Sequence, residues 1–157
     1  MTAPLLILGW GNPSRGDDAL GPLFIERLRA EASPFEAACV EFLDDFQLQI
    51  EHALDLEGRE RVLFVDASVT CSSPYTVTGL IAARDASFST HAMSPHSVMQ
   101  VFRDLYRKEP PPCTLLAIRG SDFELGQPPS PKAMKNLACA LHFGWRWLAN
   151  GRVSQDL

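Results

Sequence analysis

The chain has 157 residues, of which 46% are hydrophobic and 21% are charged, and its formal net charge is −5. This length and composition are typical of one globular domain with its own apolar core, so we expect a single domain over residues 1–157. The acidic balance and the lack of a Lys/Arg run argue against nucleic acid or an anionic membrane surface as partner. Neither a cleavable leader nor an apolar run long enough for a bilayer is evident, and no two of the four cysteines are closely spaced, so we expect a cytoplasmic protein with reduced thiols.

The hydrophobic pattern predicts strands that alternate with helices along the chain. The first strand covers 5–10, and apolar residues at helical spacing predict a helix from about 19 to 32, with Asp18 as its N-cap. The later elements are, in order, a strand at 40–43, a helix at about 47–57, strands at 61–66 and 76–83, a helix at 96–107, a strand at 113–118 and a final helix through Met134 and Leu148. Because continuous apolar strands between helices are typical of a covered parallel sheet, we expect an α/β fold, a three-layer α/β/α sandwich with a mostly parallel sheet of about five strands.

The segment between the first strand and the first helix is the most informative part of the chain. Gly9 and Gly11 allow a tight turn, and Asn12 and the adjacent acids Asp17 and Asp18 follow. The turn is not G-x-G-x-x-G, since serine replaces the last glycine, and it lacks the Gly-Lys-Ser/Thr of a phosphate-binding loop. Two carboxylates at this position would repel a phosphate, so the pattern indicates a metal cation or proton transfer.

Further acids follow other predicted strands. Asp44 and Asp45 come after the second strand, and Asp66 ends the third. Because the carboxyl ends of parallel strands meet at one edge of a sheet, we expect these acids to share a cleft with Asp17 and Asp18. Each also has a plainer interpretation: a helix cap for Asp18, a turn residue for Asp66, and a solvated pair at a strand end for the other two.

Two histidines lie in the loop before the helix at 96–107. They are His91 and His96, and either could join two carboxylates in a mixed oxygen and nitrogen site that suits Ni²⁺ or Zn²⁺. A lone histidine is also compatible with a surface or capping role. His52 and His142 fall within predicted helices, and we interpret both as structural.

Taken together, these motifs resemble those of the [NiFe] hydrogenase maturation endopeptidases. That family has Gly-x-Gly-Asn after the first strand and then an acidic pair, an apolar strand that ends in Asp-Ala, and Thr-His before a helix. The matching residues here, spread over about residues 4–148, are Gly9, Gly11, Asn12, Asp17, Asp18, Asp66, Ala67, Thr90 and His91. The resemblance implies that Asp18, Asp66 and His91 bind metal, with His96 as the alternative ligand.

With this resemblance as a basis, we expect Asp18 and Asp66 to act in catalysis through the metal. In our hypothesis, Asp17 or Asp44 orients a ligand or accepts a proton. Most family members carry Asp-Gly-Gly-Thr after the second strand, in a loop implicated in substrate recognition, where this chain has Asp44, Asp45, Phe46 and Gln47. The residues from Phe46 onward look like the subgroup that serves NAD-reducing, bidirectional hydrogenases.

The implied function is a single cut that removes the C-terminal extension of a [NiFe] hydrogenase large-subunit precursor after nickel insertion. In this hypothesis the Ni²⁺ comes with the substrate and completes the site, although the site could bind another divalent ion. A monomer is expected, with the precursor as its partner.

Two alternatives stay open. One is a non-catalytic nickel checkpoint that binds the same precursor. The other is an esterase like peptidyl-tRNA hydrolase, which Gly-x-Gly-Asn-Pro suggests, but which the acidic charge and the lack of a histidine soon after the turn disfavour.

Overall fold

A computed structural model describes residues 2–85 and 93–155, with the backbone alone for 151–155. The strands are β1 (Leu5–Trp10), β2 (Val40–Asp45), β3 (Arg61–Ser68), β4 (Tyr75–Gly79) and β5 (Cys113–Arg119). The helices are α1 (Leu20–Glu31), α2 (Pro34–Cys39), α3 (His52–Asp55), α4 (Pro95–Tyr106) and α5 (Pro131–Gln155), and a 3₁₀ turn, Gly16–Ala19, leads into α1.

The five strands form one sheet in the order β2-β1-β3-β5-β4. Strands β2, β1, β3 and β5 are parallel, and β4 pairs antiparallel with β5 at an edge. The chain passes from β1 to one neighbour, β2, and then returns to the other, β3. Ligands of open α/β sheets bind where such a reversal of direction occurs, so the carboxyl ends of β1 and β3 mark the expected site.

Helices cover both faces of the sheet, because side chains of β1 are buried alternately on each side. Leu5 and Ile7 pack with α1 and α5, whereas Leu6 and Leu8 pack with α3 and α4. The predicted three-layer α/β/α sandwich with a mostly parallel sheet of five strands is therefore confirmed.

The structure differs from the sequence prediction mainly between residues 32 and 57. The predicted helix at 47–57 is reduced to α3, because the amide of Gln49 donates to the ring of His52 instead of continuing a helical ladder. The short helix α2 was not predicted, because a Ser-Pro dipeptide at 33–34 is also typical of a loop that follows a helix. Ser33 in fact begins α2 by forming a reciprocal capping box with Glu36, and proline is tolerated in the first turn.

Candidate functional site

The acidic residues singled out in the sequence lie near the carboxyl ends of β1, β2 and β3. Asp18 lies in the 3₁₀ turn that follows β1, Asp44 and Asp45 end β2, and Asp66 lies near the end of β3. These three strands are adjacent and parallel, with Gly9 of β1 paired to Asp44 on one side and to Val65 on the other. The sheet topology therefore places the acids on one edge, as predicted.

The glycine turn is in direct contact with Asp18. Gly11 has a φ of +145°, and a Cβ there would lie 1.9 Å from the backbone oxygen of Asp18, so only glycine fits. The amide of Asn12 donates to Asp18 Oδ2 at 2.8 Å. The prediction that Asp18 caps α1 was wrong, because the residue before α1 is Ala19 and no side chain caps the helix. The carboxylate is instead held against the turn.

A second glycine brings the start of α1 close to the sheet. A Cβ on Gly21 would lie 2.3 Å from the Trp10 backbone oxygen and 3.0 Å from that of Val65. The first turn of α1 therefore packs against the ends of β1 and β3 together. This contact holds the turn that carries Asp18 beside Asp66.

Asp66 has an unusual electrostatic environment. Burial raises the pKa of its carboxyl to about 7, and the nearby charge of Asp18 also raises it, although the amide of Ala67 donates to Oδ1 at 2.8 Å and opposes the shift. A carboxyl with a raised pKa beside a second carboxylate lacks a compensating positive charge. The two neighbouring carboxylates therefore offer oxygen ligands that a cation could bind.

Asp17 differs from its neighbour Asp18 in every contact. Its side chain is fully buried and accepts hydrogen bonds from the amides of Ser121, Asp122 and Ser130 and from the Ser130 hydroxyl, at 2.6–3.1 Å. Burial alone would raise the pKa of Asp17, but these hydrogen bonds outweigh it and hold the pKa below its usual range. A catalytic role for Asp17 stays a prediction, and its contacts favour a structural role that ties the 3₁₀ turn to the start of α5.

An open cleft of about 370 Å³ lies against the glycine turn that contacts Asp18, although neither Asp18 nor Asp66 lines it. Its lining combines small or apolar residues with two acids, namely Gly11, Pro13, Pro22, Asp44, Asp45 and Phe46. Phe46 is 66% exposed, and its ring is available to a bound molecule. Three of the four predicted recognition residues therefore line the cleft, and the fourth, Gln47, is exposed next to Phe46.

The structure describes only one of the two candidate histidine ligands. His91 lies outside the described residues. His96 lies at the start of α4, where its Nδ1 is 2.7 Å from the backbone oxygen of Ile81; since a carbonyl only accepts, Nδ1 carries the hydrogen. Across residues 2–85 and 93–155, no three side chains of the metal-ligating types come together. His96 therefore forms no such group with Asp18 and Asp66 in this part of the chain.

The contact of His52 with Asp45, an acid that lines the cleft, was not predicted from the sequence. His52, interpreted as structural, is only 8% exposed, and its Nε2 lies 3.3 Å from Asp45 Oδ2. Because Asp45 ends a strand and His52 begins a helix, no local periodicity connects them. Only the turn between the two elements brings them together.

Neither a family model nor a curated protein matches the chain. Solved structures do match. HycI, a [NiFe] hydrogenase maturation protease from Thermococcus kodakarensis KOD1, is 21% identical, with a TM-score of 0.68 over 94% of this chain and 93% of its own. The hydrogenase maturating endopeptidase HybD from Escherichia coli is 22% identical, with a TM-score of 0.71 over the same shares.

This chain has the fold of the [NiFe] hydrogenase maturation proteases. An Escherichia coli endopeptidase solved in solution agrees, with 23% identity and a TM-score of 0.71 over 94% of this chain and 93% of its own. The match to this protease fold extends over nearly the whole of each chain. Among the described residues, no helix has the apolar length that crossing a membrane requires.

Proposed function

We propose that this protein is a cytoplasmic endopeptidase that removes the C-terminal extension of a [NiFe] hydrogenase large-subunit precursor after nickel insertion. The observation that carries the proposal is the Asp18–Asp66 pair, held at the carboxyl edge of a sheet whose fold is that of the maturation proteases. Both residues occupy the family motif positions. All four cysteines have free thiols, which suits a reducing compartment.

The chemistry of the acidic pair fits a divalent ion that arrives with the substrate. Carboxylate oxygens are ordinary ligands of such ions, and a cation between Asp18 and Asp66 would offset the burial and the neighbouring Asp18 charge that together raise the pKa of Asp66. His91 is the proposed third ligand. Such an ion can polarise the scissile carbonyl or make a bound water more acidic.

In this proposal the cleft against the glycine turn receives the precursor segment that is cut. Asp44, Asp45, Phe46 and Gln47 form the recognition wall, with Phe46 offering an exposed aromatic face. The run of residues from Phe46 to His52, which stands where most family members have glycines, supports a specificity of the NAD-reducing, bidirectional hydrogenase subgroup.

The deciding experiment is a cleavage assay with purified protein and large-subunit precursor. Nickel-loaded and nickel-free precursors are incubated in parallel, and the products are weighed by mass spectrometry. We expect one C-terminal cut, in the loaded sample only. Equal cutting of both samples would retain the peptidase and reject the role of substrate nickel, whereas stable binding without a cut would favour the nickel checkpoint.

Single substitutions then test the acidic pair. We expect Asp18→Asn and Asp66→Asn each to reduce cleavage by at least about a hundredfold, because an amide is a poor replacement for an anionic ligand. The fold should persist, since a neutral amide of the same shape removes the repulsion between the two carboxylates. Circular dichroism checks folding, and Asp104→Asn, at an exposed position on α4, is the control. Wild-type cleavage by either site variant would move the active site elsewhere.

A further inference from the structure

The buried side chain of His52 contacts the recognition wall at Asp45 and the chain that follows the wall at Gln49. Its Nδ1 accepts a hydrogen bond from the amide of Gln49 at 2.8 Å. Since Nδ1 is the acceptor, the ring hydrogen of the neutral imidazole lies on Nε2. That nitrogen is 3.3 Å from Asp45 Oδ2, so a polar N–H faces a carboxylate.

The segment held by these contacts runs from Asp45 to Gln49 and carries Phe46. Asp45 Oδ1 accepts from the amide of Phe46 at 2.7 Å, and the backbone oxygen of Asp45 accepts from the amide of Gly11 at 3.0 Å. Leu48 is 1% exposed and anchors the middle of the segment in the core. The wall is therefore joined to the glycine turn on one side and to His52 on the other.

We infer that His52 is a positioning residue for substrate recognition, an inference that rests on the proposed function. It fixes the Asp45 carboxylate and the path of the chain through Gln49, and thereby the position of Phe46 in the cleft. Without the imidazole, the amide of Gln49 loses its partner, and the Asp45 carboxylate is held by the Phe46 amide through Oδ1 but no longer by His52 through Oδ2. The acidic pair at the ends of β1 and β3 does not depend on this contact.

This role predicts a weaker interaction with substrate rather than a slower chemical step. We expect His52→Ala to raise the KM for the precursor about tenfold, with kcat within about twofold of wild type. His52→Asn keeps an acceptor close to the position of Nδ1 and should restore most of the affinity, to within about threefold. His142→Ala, at an exposed position on α5, is the matched control and should leave both constants unchanged.

A second measurement tests whether His52 orders the segment from Asp45 to Gln49 in the free enzyme. Hydrogen exchange at the Gln49 amide should be at least about tenfold faster in His52→Ala than in wild type or His52→Asn. A thermal melt separates this local effect from global unfolding. If the alanine variant does not fold, His52→Phe provides the test, because it keeps an aromatic ring at this buried position but offers no acceptor to the Gln49 amide.

The outcomes separate the inference from the proposed function. If wild-type protein cuts the precursor and His52→Ala has a wild-type KM, or loses only kcat, the positioning role is wrong and the peptidase stands. Unchanged exchange at Gln49 in His52→Ala also rejects the role. If wild-type protein leaves the precursor intact, the proposed function is wrong and the inference falls with it.

Discussion

Two adjacent aspartates of the same turn have opposite environments. Asp17 is fully buried with four donors within 2.6–3.1 Å, whereas Asp18 is partly exposed and accepts from Asn12 beside the cleft. A carboxylate whose oxygens are all engaged by fixed donors is well suited to hold a loop. A carboxylate at the edge of a cleft is well suited to bind a ligand.

Substitution of Asp17 tests this difference. We expect Asp17→Ala to lower the free energy of unfolding by about 2–4 kcal/mol, because it leaves three partly buried amides and a hydroxyl without their acceptor. Cleavage per folded molecule should remain near that of wild type. Urea denaturation and the precursor assay measure the two quantities. A stable Asp17→Ala protein that does not cut would instead establish the catalytic role that the family resemblance implies.

The sequence alone was sufficient to predict that Asp18 and Asp66 lie close together. It was not sufficient to predict that Asp17 and Asp18 have different environments. The success follows from one rule, that the carboxyl ends of parallel strands lie at the same edge of a sheet. The hydrogen-bond donors to Asp17 are the amides of Ser121, Asp122 and Ser130. These residues lie more than a hundred positions further along the chain, so no local sequence pattern predicts the contacts. The same limit applies to His52, whose contact with Asp45 depends on the shape of a turn.

At the level of elements, the site depends on how closely α1 approaches the sheet. Gly21 makes this approach possible, since a Cβ there would lie within 2.3 Å of the Trp10 backbone oxygen. Any larger residue must push the helix, and with it the turn that carries Asp18, away from β3. The separation of the two carboxylates is thus set by a residue with no side chain.

We therefore expect Gly21→Ala to destabilise the protein by about 2–4 kcal/mol and to reduce cleavage in the molecules that remain folded. Gly79→Ala is the matched control, because a Cβ on Gly79 of β4 would meet nothing within 4 Å. Thermal unfolding and the precursor assay report the effects. Equal stability of the two variants would show that the helix can shift without cost.

Elements with strong hydrophobic patterns were predicted well, and short ones were not. Strands β1, β3 and β5 are continuous apolar runs, and α4 has a clear apolar face, so burial alone identifies them. Helices α2 and α3 have only 6 and 4 residues, and side-chain hydrogen bonds at their ends decide where they begin. Such contacts depend on geometry that periodicity does not encode.

At the scale of the whole molecule, the two edges of the sheet bear on self-association. Edge strand β4 has only 5 residues, and at the opposite edge Arg29 Nη2 donates to the backbone oxygen of Phe42 in β2. Short or covered edges are ways in which proteins avoid pairing with copies of themselves. We expect light scattering during gel filtration to give the monomer mass of 17.3 kDa. A stable species of twice that mass would contradict this expectation.

A contact between Arg61 of β3 and Trp147 of α5 has a practical consequence for handling the protein. Arg61 donates to the backbone oxygen of Trp147 and lies 4.1 Å from its ring centre, and it pairs in the sheet with Leu5. The start of β1 and the later turns of α5 therefore meet at the sheet edge opposite the acids, about 17–20 Å away along a six-residue strand. An affinity tag or a fluorescent label attached at this edge would lie on the side of the sheet opposite the acids, so immobilised or labelled enzyme should still admit a bulky precursor.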